Sequence, residues 1–253
     1  MGGLDLNTKV EVSIRLIRGF AERFGGVYVG FSGGKDSAAT LLLALEALPP
    51  KMVRGVVFIE VTGNTHELNT WYVYDLADRL GVSDRLIHLR REDIDFFTAL
   101  ARWGLPHRVN RWCWNEFKMR VFKGVSPPVF LVGVKHSDSR LRELSDWSRH
   151  KVIHGMIVLS PIYAWTTDDV RDYLRSRNVD LCPCYGIYGH SGNCMFCPFR
   201  NREEIRRTVA DPVWGPRILS ALSQLRNEWG RREYRRWARY ASRSLLEFVG
   251  GGR

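Results

Sequence analysis

The stretch from Val27 to Leu48 constrains the chain most. A short apolar run, Val27 to Phe31, is preceded by Gly25-Gly26 and followed directly by Ser32-Gly33-Gly34-Lys35-Asp36-Ser37, after which an apolar helical pattern runs from Asp36 to Leu48 and stops at Pro49-Pro50. A strand that turns through glycines straight into a helix points backbone amides and a positive helix end at one spot, which suits a phosphate. The hydroxyls of Ser32 and Ser37 add donors there. A Walker A loop would need glycine at Val29 and Ser or Thr at Asp36, so ordinary γ-phosphate chemistry is disfavoured.

The remaining pattern repeats the alternation. Further buried-strand runs occur at Val53 to Ile59, Leu86 to Leu89, Val129 to Val134 and Ile157 to Leu159. Between them lie helical patterns at 8 to 24, Glu67 to Leu80, Ile94 to Trp103, Cys113 to Phe122 and Asp168 to Arg175, the last opened by the Thr166/Asp169 capping pair. This order predicts an α/β fold, a parallel sheet wrapped by helices, with ligands bound beyond the carboxyl ends of the strands. The loops after Phe31, Ile59 and Val134 should carry the site. We divide the 253 residues into an α/β nucleotide-binding domain over 1–177, a Cys-rich loop over 178–200 and an Arg-rich helical tail over 201–253. The longest apolar stretch, Ala38 to Leu48, falls far short of the roughly 20 residues that span a bilayer. With no signal-peptide layout either, a cytoplasmic location is expected.

Five cysteines stand at 113, 182, 184, 194 and 197. In an intracellular protein their bunching suggests metal or redox chemistry, and the spacing fits tetrahedral Zn²⁺ and an iron–sulfur cluster equally. Of the seven histidines only His190 lies close to the cysteines. The net charge of +11 points to phosphate-bearing partners, and +7 of it lies after Cys197, where 13 arginines face 6 acids. Arg231, Arg232, Arg235, Arg236, Arg239 and Arg243 alternate at helical spacing with Trp229, Tyr234, Trp237 and Tyr240. Such a helix either packs its aromatics on the core or contacts the backbone of tRNA or another nucleic acid.

The SGGKDS loop resembles the PP-loop of the ATP pyrophosphatases, which cleave ATP between the α and β phosphates. Five further segments are similar, in order, to the phosphoadenylylsulfate (PAPS) reductase-like branch. They are Glu60 to Thr65, Arg111-Trp112-Cys113-Trp114 with Lys118, Gly133 to Ser139 with Arg142, Pro161-Ile162 with Trp165-Thr166, Asp169-Val170 and Tyr173, and Cys194-Met195-Phe196-Cys197-Pro198. The resemblance implies an enzyme that binds adenine nucleotide as ATP with Mg²⁺ and adenylates an acceptor. It puts Ser32, Gly33, Gly34 and Ser37 on the pyrophosphate, Thr62 and Gly63 near the adenosine, and Asp138 and Ser139 beside the nucleotide. Lys35, Asp36, Lys135, Arg142 and Cys113 become the catalytic group. It also implies a 4Fe-4S cluster on Cys113, Cys184, Cys194 and Cys197, with Cys182 spare and a structural Zn²⁺ as the alternative. Sulfur transfer, with a sulfur carrier as a further partner, is the expected downstream step. True sulfonucleotide reductases typically have a degraded loop and a cysteine on a C-terminal tail, so PAPS or APS reduction is the second reading. A nucleic-acid-binding module with a structural zinc and a regulatory nucleotide site is the third.

Overall fold

The structure, a computed structural model, describes residues 4–107, 109–123, 129–138, 150–153, 155–242 and 245. The strands are β1 Val27–Gly30, β2 Val53–Ile59, β3 Leu86–Leu89, β4 Val129–Leu131, β5 Lys151–Ile153 and β6 Met156–Leu159. The helices are α1 Leu6–Phe24, α2 Lys35–Ala47, α3 Glu67–Arg79, α4 Phe96–Trp103, α5 over 112–122, α6 Thr167–Ser176, α7 Cys184–Tyr188, α8 Arg202–Val209, α9 Trp214–Ser223 and α10 Glu228–Ala238. They form two compact units that do not follow consecutive stretches of chain. One comprises 1–59, 71–89 and 123–182, the other 60–70, 90–122 and 183–253. No helix among the described residues is long and apolar enough to cross a membrane.

The first unit holds the whole sheet, in the order β3-β2-β1-β4-β6-β5. Its pairs are parallel except β5 with β6, which run antiparallel. That edge strand escapes a sequence reading because three residues show no period. Strand order reverses between β1 and β4, so the carboxyl ends of those two strands form the topological switch point where α/β sheets bind ligands. Helix α2 leaves β1 at that point, and residues Ser37 to Ala44 are all buried. Its near-continuous apolar sequence follows from burial on all sides, with α1 and α6 among its neighbours. Helix α6 opens on the predicted capping box, Thr166 accepting from the Asp169 amide and Asp169 from that of Thr166.

The second unit is helical, and its core is aromatic. Phe96 packs against Trp112 with ring centroids 5.3 Å apart and against Phe196 at 6.0 Å, and Phe196 in turn meets Trp237 at 5.2 Å. Helix α4 begins at Phe96, two residues later than its apolar pattern, because the Asp95 carboxylate caps it by accepting from the Phe97 and Thr98 amides. Helix α5 contains a π-helical turn over Asn115–Met119, a widening that often accompanies functional positions.

Candidate functional site

The switch point of the first unit gathers eight of the residues singled out from sequence. Gly33 adopts φ +74°, a left-handed conformation that turns the chain from β1 into α2. The loop is then closed by hydroxyls. Ser37 Oγ donates to the Gly34 carbonyl at 2.7 Å and accepts from the Ser32 amide at 3.1 Å, with Ser32 Oγ 3.2 Å away. The chain after β4 comes against this turn, since a Cβ at Gly133 would stand 2.5 Å from the Asp36 carbonyl carbon. This approach delivers Lys135, whose Nζ meets Asp36 Oδ1 at 2.5 Å and Asp138 Oδ1 at 3.0 Å with only 1% of the side chain exposed. Asp36 also binds Lys35 Nζ at 2.8 Å, and Asp138 accepts from the Lys135 amide at 2.9 Å. Two ammonium groups and two carboxylates therefore alternate beside the phosphate loop, with no net charge. Asp36 and Asp138 already share a cation, Lys135, so as they stand they do not fit a resident Mg²⁺. Ser139 and Arg142 lie outside the described residues.

In the second unit the strand-end segment is tied to the cysteines. Asn64 Nδ2 donates to the Phe196 carbonyl, its Oδ1 accepts from the Phe196 amide, and its own carbonyl accepts from the Met195 amide, all within 2.9 Å. Thr62 Oγ1 donates to the Arg91 carbonyl at 2.5 Å, and Gly63 sits at φ +78° against Asp95. Cys113, Cys194 and Cys197 feel one another electrostatically. Burial and then the thiols of Cys194 and Cys197 push Cys113 up to about 11, while burial and Cys194 raise Cys197. Cys113 is thus a neutral thiol at pH 7.

The four-thiolate set read from sequence is not assembled. Among the described residues no three His, Cys, Asp or Glu side chains form a metal-holding group. Cys184 starts the short helix α7 and packs on Gly192, where a Cβ would stand 2.7 Å from its Sγ.

Sequence reasoning missed a polar network in this unit. Tyr188 donates to Asp211 Oδ2 at 2.6 Å and lies 3.0 Å from His66 Nε2, whose ring stacks on Trp214 at 5.9 Å. Burial lowers His66, with Asp211 and Glu67 opposing. Burial opposes the lowering of Asp211, but the Trp214 amide, the Tyr188 hydroxyl and the Val213 amide outweigh it. The place of His66 directly after Thr65 was the one available signal. His190, which the sequence did single out, is buried and structural. Its Nδ1 accepts from the Gly192 amide at 3.1 Å, and burial pushes it down to about 2. Arg91 was also missed. It is 7% exposed, holds Asp93 through two 2.7 Å bonds and reaches Glu116 at 2.8 Å.

The phosphoadenosine phosphosulfate reductase domain matches residues 26–197. The chain belongs to that family. Members of this PP-loop family are enzymes acting on adenine nucleotides, which agrees with a phosphate loop at the switch point. Among relatives, an uncharacterised protein of Methanocaldococcus jannaschii is 30% identical over 188 residues, covering 72% of this chain and 38% of that protein. The NH₃-dependent NAD⁺ synthetase of Hyperthermus butylicus is 40% identical over 87 residues, 34% of this chain and 31% of that one. The chain thus spans less than half the length of these relatives. The NH₃-dependent NAD synthetase of Campylobacter jejuni shares the PP-loop fold, with a TM-score of 0.51 at 12% identity over 98% of this chain and 93% of that chain.

Proposed function

We propose that this PAPS reductase family member cleaves ATP between its α and β phosphates, adenylates an acceptor and releases pyrophosphate, sulfur transfer to the activated acceptor following with AMP as the leaving group. The observation that carries the reading is the intact loop from Ser32 to Ser37 with Lys35 and Lys135 beside it. Mg²⁺ enters as part of the MgATP substrate. The loop amides and the hydroxyls of Ser32 and Ser37 hold the β and γ phosphates, and the helix α2 end faces the charge that develops on the leaving pyrophosphate. Lys135 shifts from its carboxylates toward that charge, which frees Asp36 or Asp138 to face the incoming metal. Arg142 and Ser139 are assigned to the triphosphate by the family motif alone.

Cys113, Cys194 and Cys197 are the thiols to which we assign sulfur handling, with a persulfide carrier as donor. Metal and acid-labile sulfide analysis of anaerobically purified protein reads whether they take up a cluster or zinc. The decisive assay for the main reading is pyrophosphate–ATP exchange. Exchange that is lost in Ser37→Ala is the expected result; release of ADP and phosphate, or no exchange with any acceptor, overturns adenylation. A second reading, sulfonucleotide reduction, is favoured by the family match itself. Thiol-dependent sulfite release from PAPS or APS would establish it.

A further inference from the structure

Helices α8 and α10 of the second unit line a cavity of about 360 Å³ in which Arg202, Arg232, Arg235, Arg236 and Arg239 surround the single carboxylate of Glu233. That carboxylate is already engaged. Glu233 Oε1 accepts from Trp237 Nε1 and from Arg236 Nη1, both at 2.8 Å. Arg236 is engaged too, donating to the Pro198 carbonyl at 2.7 Å and to that of Arg200. The side chains of Arg202, Arg232, Arg235 and Arg239 make no hydrogen bond or ion pair with any other described residue. Four uncompensated guanidinium groups around one cavity repel each other, and an anion placed there relieves the repulsion. One small anion would leave most of that charge unmatched. A strand carrying one charge at each phosphodiester matches it along its length.

The tether through Arg236 extends the basic surface toward the cysteines. Pro198 and Arg200 flank Phe199, a residue that is 46% exposed. The Arg111 guanidinium lies 5.9 Å from the Phe199 ring and 5.7 Å from that of Trp114, itself 39% exposed, and Lys118 Nζ sits 5.9 Å from the Trp114 ring. Exposed aromatics held by cations beside an arginine groove are the composition of a single-strand platform, in which bases stack while phosphates follow the charge. Cys113 is the neighbour of both Trp112 and Trp114 in the chain, so the platform and the thiol share helix α5.

We propose that the second unit binds a single-stranded nucleic acid, its phosphodiesters on Arg202, Arg232, Arg235 and Arg239 and its bases on Trp114 and Phe199. This names the acceptor class for the adenylation above and rests on that reading for the assignment, though not for the binding. The test is fluorescence anisotropy of a labelled 12-nucleotide RNA and the matching DNA with the full chain. Replacing Arg232, Arg235 and Arg239 by Gln is expected to weaken binding about 10-fold or more and to lower the slope of log affinity against log salt by about 2. Lysine at the same three positions restores the salt slope. Trp114→Ala with Phe199→Ala weakens binding without changing that slope. The tighter of the two strands identifies the sugar. Unchanged binding in the Gln variant overturns the proposal, as does inorganic polyphosphate binding more tightly than either strand. Pyrophosphate–ATP exchange, measured separately, distinguishes the two failures: intact oligonucleotide binding without exchange removes only the adenylation reading, and exchange without binding removes only this one.

Discussion

Lys135 carries its charge at 1% side-chain exposure, a burial made tolerable by Asp36 and Asp138. Lys135→Met removes the ammonium that two mostly covered carboxylates share. It should cost about 3 kcal/mol, the low end for breaking a buried pair, because Asp36 keeps Lys35. Urea unfolding measures it, and a loss below about 1 kcal/mol would show that the pair is solvated. His190 makes a different prediction. Its folded value of about 2 lies below the ordinary 6.5, so the unfolded chain takes up a proton that the folded chain refuses. Stability is then complete above about pH 6.5 and falls by up to about 1.4 kcal/mol per pH unit as the pH drops toward 2. His190→Asn keeps an acceptor for the Gly192 amide without titrating, so its melting temperature should change less between pH 7 and pH 5 than that of the natural chain. An equal change in both proteins would locate the acid sensitivity elsewhere. At this scale the sequence showed which residues carry charge and not what they meet. Lys135 and Asp36 are 99 positions apart, and Arg236, one more arginine in a run, proved to be a bracket for Pro198 and Arg200.

Elements were legible where a period or a cap repeats and illegible where packing overrides them. The turn from β1 into α2 was readable residue by residue, because glycines, a strand and a helix start in sequence admit few geometries. Its partner was less visible. Gly133 is needed because the backbone of Asp36 and Ser37 occupies the space of a Cβ, with contacts at 2.5 to 2.8 Å. Gly133→Ala should push the chain after β4 away from α2, take Lys135 off Asp36 and abolish ATP binding, read by calorimetry, while circular dichroism stays close to that of the natural chain. Retained ATP affinity would mean that the loop works without this approach. Helix α10 shows the limit of counting aromatics. Its buried positions are Gly230, Glu233 and Trp237, whereas Trp229 is 66% exposed. A stripe of Gly, Glu and Trp carries no hydrophobic signal, and the buried Glu233 is explained only by Trp237 and Arg236 donating to it.

At the scale of the molecule, the chain crosses between its two units five times, after residues 59, 70, 89, 122 and 182. A reading that divides the sequence into consecutive parts cannot see this, since composition changes at about residue 178 while residues 60–70 and 90–122 already belong with the C-terminal helices. The physical link is aromatic. Phe96 and Trp112, from the middle of the chain, complete their core with Phe196, and Phe196 packs on Trp237 beyond the end of the family match at residue 197. It follows that the α/β part is not separable by truncation. Residues 1–182 made alone keep every strand of the sheet but leave Phe96, Phe117 and Trp112 without Phe196, Trp237 and helix α9, whose Arg217 stands 4.7 Å from the Phe97 ring. Burying an aromatic side chain contributes roughly 2–3 kcal/mol, so exposing several exceeds the net stability of an ordinary domain. The fragment should aggregate or bind a hydrophobic dye with no cooperative melt, whereas the full chain melts in a single transition with dye binding only after it. A fragment 1–182 that melts cooperatively at the temperature of the full chain would show that the interleaving is a path of the chain alone and not a mutual dependence of the two cores.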